Sequence, residues 1–115
     1  MLDRIVAQLR KGSIKNVVKF GVKAMPSAPY AVVRPETLPY GRGIRIIAHD
    51  LKGTNTNLEN YILDEVLDLL DGFTDKDRFG NRFTIKDTGE VAEVAAVSDD
   101  STISMERLFY APKLA

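Results

Sequence analysis

The sequence predicts an α+β fold: a single domain over residues 1–115, with one mixed or antiparallel sheet of about five strands and two helices packed on it, in the order α-β-β-α-β-β-β. Two segments repeat their apolar residues at helical spacing. Several others are rich in β-branched and aromatic residues and are bounded by Gly, Pro, Asn and Asp. At 115 residues the chain holds one modest core and no second lobe to close over a substrate.

Leu2, Ile5, Val6 and Leu9 fall at i, i+3, i+4 and i+7, so the chain opens on a short amphipathic helix that Gly12 closes. A brief apolar stretch, 17–22, follows, and two prolines at 26 and 29 make the next segment a loop. Tyr30 to Arg34 reads as a strand that stops at Pro35. A loop then leads to a second strand from Ile44 to Leu51. Ile44, Ile46 and Ala48 share one face of it and Arg45, Ile47, His49 and Leu51 the other. Thr56-Asn57-Leu58-Glu59 matches the capping box, and Leu58, Ile62, Val66, Leu69 and Leu70 form the stripe of a long acidic helix that Gly72 ends. Asp71 sits where the helix dipole disfavours an anion, a cost that a nearby cation would offset. Beyond a charged turn at 75–81 come three strand candidates, 82–87, 91–98 and 102–110. Thr88-Gly89 and Asp99-Asp100-Ser101 are hairpin-type connections between them. Segments 23–29, 36–43 and 72–81 read as long polar loops.

The chain has no cysteine, which excludes disulfides, thiolate metal sites and thiol catalysis. No apolar run is long enough to span a bilayer, and the N-terminus lacks the apolar core of a secretory signal, so a soluble domain is expected. Net charge is zero, yet it is unevenly placed: residues 1–52 carry ten basic and three acidic residues, +7, and residues 53–115 carry six basic and thirteen acidic, −7. Such a chain is a poor duplex-DNA binder, since affinity follows neutralised phosphates, and no aromatic cluster interleaves the basic residues.

Three fragments resemble catalytic motifs. Asp87-Thr88-Gly89 is the aspartic-protease tripeptide, but Lys86 and Glu90 flank it where apolar support is needed, so an ordinary hairpin turn is expected. Asp50-Leu51-Lys52, with Glu36 upstream, matches the acid pair and lysine of a metal-dependent nuclease without a third ligand. His49 is the only histidine, and Asp50 beside it points to the opposite strand face, so a structural role is expected. The sequence therefore predicts no enzyme, no catalytic residue, no metal and no cofactor.

The order of several segments is similar to a known group. Tyr30-Ala31-Val32-Val33-Arg34-Pro35-Glu36, Gly41-Arg42-Gly43-Ile44-Arg45-Ile46-Ile47-Ala48-His49, the acidic helix at 58–70 and Ser104-Met105-Glu106-Arg107-Leu108-Phe109-Tyr110-Ala111-Pro112 resemble the tail terminator, or tail-completion, proteins of long-tailed bacteriophages. The resemblance runs from residue 2 to residue 112. It implies a virion structural protein of the neck that forms a homo-oligomeric ring, typically a hexamer, at the head-proximal end of the tail. The ring would stop polymerisation of the tail tube protein, meet head-closure or connector proteins, and let DNA pass through its lumen unread. Another neck protein, of the head-closure kind, is the alternative reading, with a small metal-dependent nuclease behind it. A ring subunit meets its neighbours through two different patches. The charge halves suit that contact, with Arg42, Arg45 and Lys52 on one flank and Asp64, Glu65, Asp68 and Asp71 on the other.

Overall fold

The protein was analysed as a computed structural model that describes residues 1–51, 57–93 and 102–112. Helix α1 spans Leu2–Leu9 and buries Ile5, Val6 and Leu9, the face that the spacing predicts. Gly12 does more than end it. A Cβ there would lie 2.5 Å from the Glu65 carboxylate and 2.9 Å from the Leu69 side chain, so glycine lets the chain approach the second helix without displacing either.

Seven strands follow among the described residues: β1 (Val17–Lys19), β2 (Tyr30–Leu38), β3 (Gly41–Leu51), β4 (Thr74–Lys76), β5 (Arg82–Thr84), β6 (Lys86–Glu93) and β7 (Thr102–Pro112). Five make a mixed sheet in the order β1-β2-β3-β7-β6, and β4 and β5 form a small separate hairpin. Only the β1–β2 pairing is parallel within the large sheet. This is the α+β fold that the sequence predicts.

The strand bounds depart from expectation in five places, each for a physical reason. The apolar stretch at 17–22 contributes β1, whose Val17 is buried opposite Ala31. Pro35 does not stop β2. The Ala31 amide donates to the Asn16 carbonyl and the Val33 carbonyl accepts from the Phe20 amide, so odd positions of β2 bond toward β1. Pro35 therefore turns its missing N–H to a side that β1, ending at Lys19, no longer occupies. The expected loop at 36–43 is a tight hairpin, with Leu38 opposite Gly41 and only Pro39 and Tyr40 between them. The expected strand at 82–87 is broken at Ile85. That side chain is fully buried, its amide donates to the Phe73 carbonyl and its carbonyl accepts from the Gly72 amide, each at 2.8 Å. The chain thus ties itself to the end of the second helix as it crosses from the hairpin to the large sheet. Thr88-Gly89 is no hairpin either: it lies within β6, where the register against β7 shifts between Asp87 and Val91.

Helix α2 covers residues 58–70, with α-helical Leu58–Asn60 and Val66–Leu70 flanking a π turn at Tyr61–Glu65. Its N-cap is Asn57, whose side-chain oxygen accepts from the Asn60 amide at 2.9 Å. Thr56 lies outside the described residues, as do the expected turn at 53–55, the strand portion 94–98 and the connection 99–101. Leu58, Ile62, Val66 and Leu70 are buried as the stripe predicts; Leu69 is only half-buried, and Tyr61 joins the core instead. The π turn carries that exchange, because an extra residue per turn rotates the face that follows.

Both helices pack on one face of the sheet, α1 over β1 and β2 and α2 over β3, β7 and β6. Ala31 and Val33 oppose Ala48 and Ile46 across β2 and β3, and Ile44 opposes Phe109 across β3 and β7, giving the core floor. Among the described residues no helix is long and apolar enough to cross a membrane.

Two substitutions check this packing. Ile62→Asp buries an unpaired carboxylate at a fully enclosed site and is expected to unfold the chain, because its cost of several kcal/mol matches a total stability of about 5–15 kcal/mol. A mutant melting within a degree or two of the parent would place Ile62 outside the core. Tyr61 is the reverse case: its hydroxyl is buried with no hydrogen-bond partner among the described residues, and burial, aided by the Glu65 charge, raises its pKa far above the usual tyrosine range. Tyr61→Phe is expected to leave the urea midpoint unchanged or raise it, since an unmet hydroxyl costs about 1–3 kcal/mol. A clear loss of stability would contradict that.

Candidate functional site

Three groups of polar side chains lie where function would be sought. The first is under α2. On β7 the alternation Met105, Arg107, Phe109, Ala111 faces the helices, so Arg107 occupies a core position, opposite Ile46 and only 7% exposed. Its Nε and Nη2 donate to the two carboxylate oxygens of Asp87 at 2.9 and 2.7 Å. Its Nη1 donates to the Ile62 and Leu63 carbonyls, each at 3.3 Å, at the π turn. The fork thus joins β7, β6 and α2. The hydrogen bonds from Arg107 hold Asp87 below the usual carboxylate range, against the opposing effect of burial. The Asp71 carboxylate accepts from the Asp87 amide at 3.0 Å, and Asp71 and Asp64 both act electrostatically on Arg107. Arg107 is thus the cation that relieves Asp71 at the helix end.

The aspartic-protease tripeptide is consumed here. Both Asp87 oxygens are taken by Arg107. The Thr88 hydroxyl donates to the Leu108 carbonyl at 2.7 Å and accepts from the Glu90 amide at 3.1 Å. Gly89, at φ +83°, supplies the backbone that the bulge requires.

The second group covers the sheet face that has no helix. Arg45 donates to Glu36 through Nη2 at 2.8 Å and Nε at 3.3 Å, and to Glu106 through Nη1 at 2.7 Å; Glu90 stands 3.5 Å away. Arg34 reaches Glu36 at 3.5 Å. Hydrogen bonding from Arg45 keeps the Glu36 carboxyl low, and Glu36 in turn raises Arg45. The nuclease reading fails on this geometry: Glu36 is on the open face, whereas Asp50 is 1% exposed on the helix face with its carboxylate accepting from the Leu51 amide at 2.8 Å. The sheet lies between the two acids. Lys52 is outside the described residues.

The third group is His49, also on the open face. Its Nδ1 is 2.6 Å from the Ser104 hydroxyl, and Tyr30 stacks on its ring at 4.8 Å. Burial lowers the imidazole pKa, which favours the neutral ring. Ser104 is fully buried, so its hydroxyl presents no nucleophile to a substrate. Among the described residues no cluster of His, Cys, Asp and Glu converges as metal ligands do.

The charged residues proposed from sequence divide in two. Arg45 is held by three carboxylates, Glu65 accepts from the Ser13 amide and hydroxyl, and Asp71 holds the Asp87 amide. Arg42, Asp64 and Asp68 are exposed. The topology also sorts the wider charge. The β1 edge with α1 carries Arg4, Arg10, Lys11, Lys15 and Lys19 against Asp3 alone, while α2 and the β6 edge carry acids with Lys86 as their one cation among the described residues. Arg107 was missed from sequence, although an arginine in phase with Met105, Phe109 and Ala111 is itself the signal of a buried ion pair.

Comparison of the chain with family models, with curated proteins and with solved structures gives no match.

Asp87 and Glu36 both have depressed folded pKa values, so their stabilisation is present above the unfolded carboxylate range near 4 and is lost as pH falls through the folded values. The urea midpoint of the parent is expected to fall steeply below about pH 4, and that acid limb should flatten in Asp87→Asn, whose midpoint is already low at neutral pH. Parallel limbs in the two proteins would remove Asp87 from the account.

Proposed function

We propose that the chain is a ring-forming structural subunit of the phage neck, of the tail-terminator kind. It closes the head-proximal end of the tail tube and offers its other surface to head-closure or connector proteins. The observation that carries this reading is the segregation of charge to opposite sheet edges, basic at α1 and β1 and acidic at α2 and β6. A heterologous contact needs two unlike patches on one subunit, and flanks of opposite sign meet that need around a closed ring. The internal chemistry supports the same reading. Asp87 and His49, groups a hydrolase would use, are engaged in contacts that join different strands, and Asp50 is buried with its carboxylate on the Leu51 amide. DNA would traverse such a ring without sequence-specific contacts.

Single exposed ion pairs contribute only about 0–1 kcal/mol, so charge selects the register and apolar contacts hold the ring. Sedimentation velocity and negative-stain microscopy, on the chain alone and with tail tube, provide the test. Rings are expected to weaken between 0.1 and 1 M salt, as the Debye length falls from about 10 to about 3 Å. Asp68→Lys should impair them and Arg42→Glu on the neighbouring flank should restore them. A chain that forms no ring even on tail tube, or one that cleaves DNA with Mg²⁺ present, would overturn the proposal.

A further inference from the structure

Phe79 is 74% exposed, the most exposed of the large apolar side chains described. It does not sit on a loose loop. At the tip of the β4–β5 hairpin, one oxygen of Asp77 accepts from the Phe79 amide at 2.9 Å and the Asn81 amide at 3.0 Å. Two backbone bonds close the same turn, Gly80 N–H to the Asp77 carbonyl at 3.0 Å and Asp77 N–H to the Asn81 carbonyl at 2.9 Å. The Arg78 guanidinium lies 4.8 Å from the Phe79 ring centroid. A turn built with this many bonds to hold an aromatic ring in water is a preorganised anchor, and Phe79 with Arg78 has the chemistry of an interface hot spot.

The tip stands beside a groove of about 630 Å³ that runs along the exposed face of α1. Leu2 and Ala7 give it an apolar side, and Arg4, Arg42 and Arg78 line it with positive charge. Both acids that line it are occupied: Asp3 holds Lys19 at 2.8 Å and Asp77 holds the hairpin turn. Arg4, Arg42 and Arg78 form no ion pair among the described residues.

We propose that this groove receives α2 of a second copy of the chain, with Leu63 set against Phe79 and with Asp64 and Asp68 facing the arginines. The proposal rests on the ring reading and names its contact. Leu63 is 37% exposed although it lies on the helix that carries the core stripe. Asp64 and Asp68, four apart on one helix face, are exposed beside it, and Glu65 and Asp71 are already used within the chain. An apolar seat rimmed by arginine is complementary to an acidic helix with one exposed leucine. No groove residue belongs to α2, so one subunit can give its helix to one neighbour and its groove to the other, as a closed ring requires.

The absence of cysteine makes the test direct. Phe79→Cys and Leu63→Cys replace exposed side chains, so both variants should fold. The two chains are mixed, oxidised mildly, and the linked peptides identified by mass spectrometry, alone and on tail tube. The expected result is a Phe79→Cys to Leu63→Cys linked dimer that predominates over either homo-linked dimer and declines in 1 M salt, where the Debye length is about 3 Å. A statistical mixture of the three dimers, or no linked dimer, overturns the seat. If wild-type rings are still seen by sedimentation, the ring reading survives that failure; if they are not, both fall. A chain that stays monomeric and binds short fluorescent duplex DNA, with the binding lost in Arg78→Glu, reassigns the groove to nucleic acid and overturns the second copy as its occupant.

Discussion

The Arg107–Asp87 pair is the constraint on which the arrangement of this small domain depends. Burying a guanidinium carries a desolvation cost that is offset only when most of its donors find acceptors and the countercharge is close. Here the fork takes both Asp87 oxygens and two carbonyls of α2, so the charge is tolerated only if β6, β7 and the helix hold one mutual position. The π turn belongs to the same arrangement, because its Ile62 and Leu63 carbonyls accept from Arg107 and buried Tyr61 opens it. Its cost is visible in the orphaned Tyr61 hydroxyl. The acidic surface of α2 is thereby set on the β6 side of the sheet, and the charge segregation behind the proposed ring follows from that placement.

The open face of the sheet solves a different problem. With both helices on one side, five strands would expose apolar rows on the other. Val32 and Leu108 are nevertheless 3% and 5% exposed there, and Arg45, the cross-strand partner of Leu108, spreads its ion pairs to Glu36 and Glu106 over the same face. The apolar stems of such charged side chains can cover apolar rows while their heads stay in water. Arg45 is thereby committed to carboxylates of its own chain.

Much of this was legible in the sequence. The stripe of α1, most of the stripe of α2 and the two faces of β3 follow from periodicity, since burial acts on every residue of a regular element alike. What escaped were features set by tertiary context. β1 is three residues long and exists because β2 offers it an edge. Pro35 is permitted by where β1 ends, and no local rule carries that information. Asp87-Thr88-Gly89 has the composition of a hairpin, and only the pairing with β7 makes it a bulge. The site was less legible than the fold. Charge arithmetic singled out Arg42, Asp64 and Asp68, which are exposed, but could not separate them from Arg45, Glu65 and Asp71, which are held by partners on other elements. Phe79 carried no signal at all, because an isolated phenylalanine in a charged turn has no periodicity to read.

A double-mutant cycle on Asp87 and Arg107, followed by urea denaturation at neutral pH, tests the central interaction most directly. Asp87→Leu or Arg107→Met alone leaves a buried charge unpaired, and each is expected to cost about 3–5 kcal/mol. The double variant removes both charges and should recover most of that loss, giving a large coupling energy. Two single effects that are small, or that simply add in the double variant, would show that the pair does not hold the helix to the sheet.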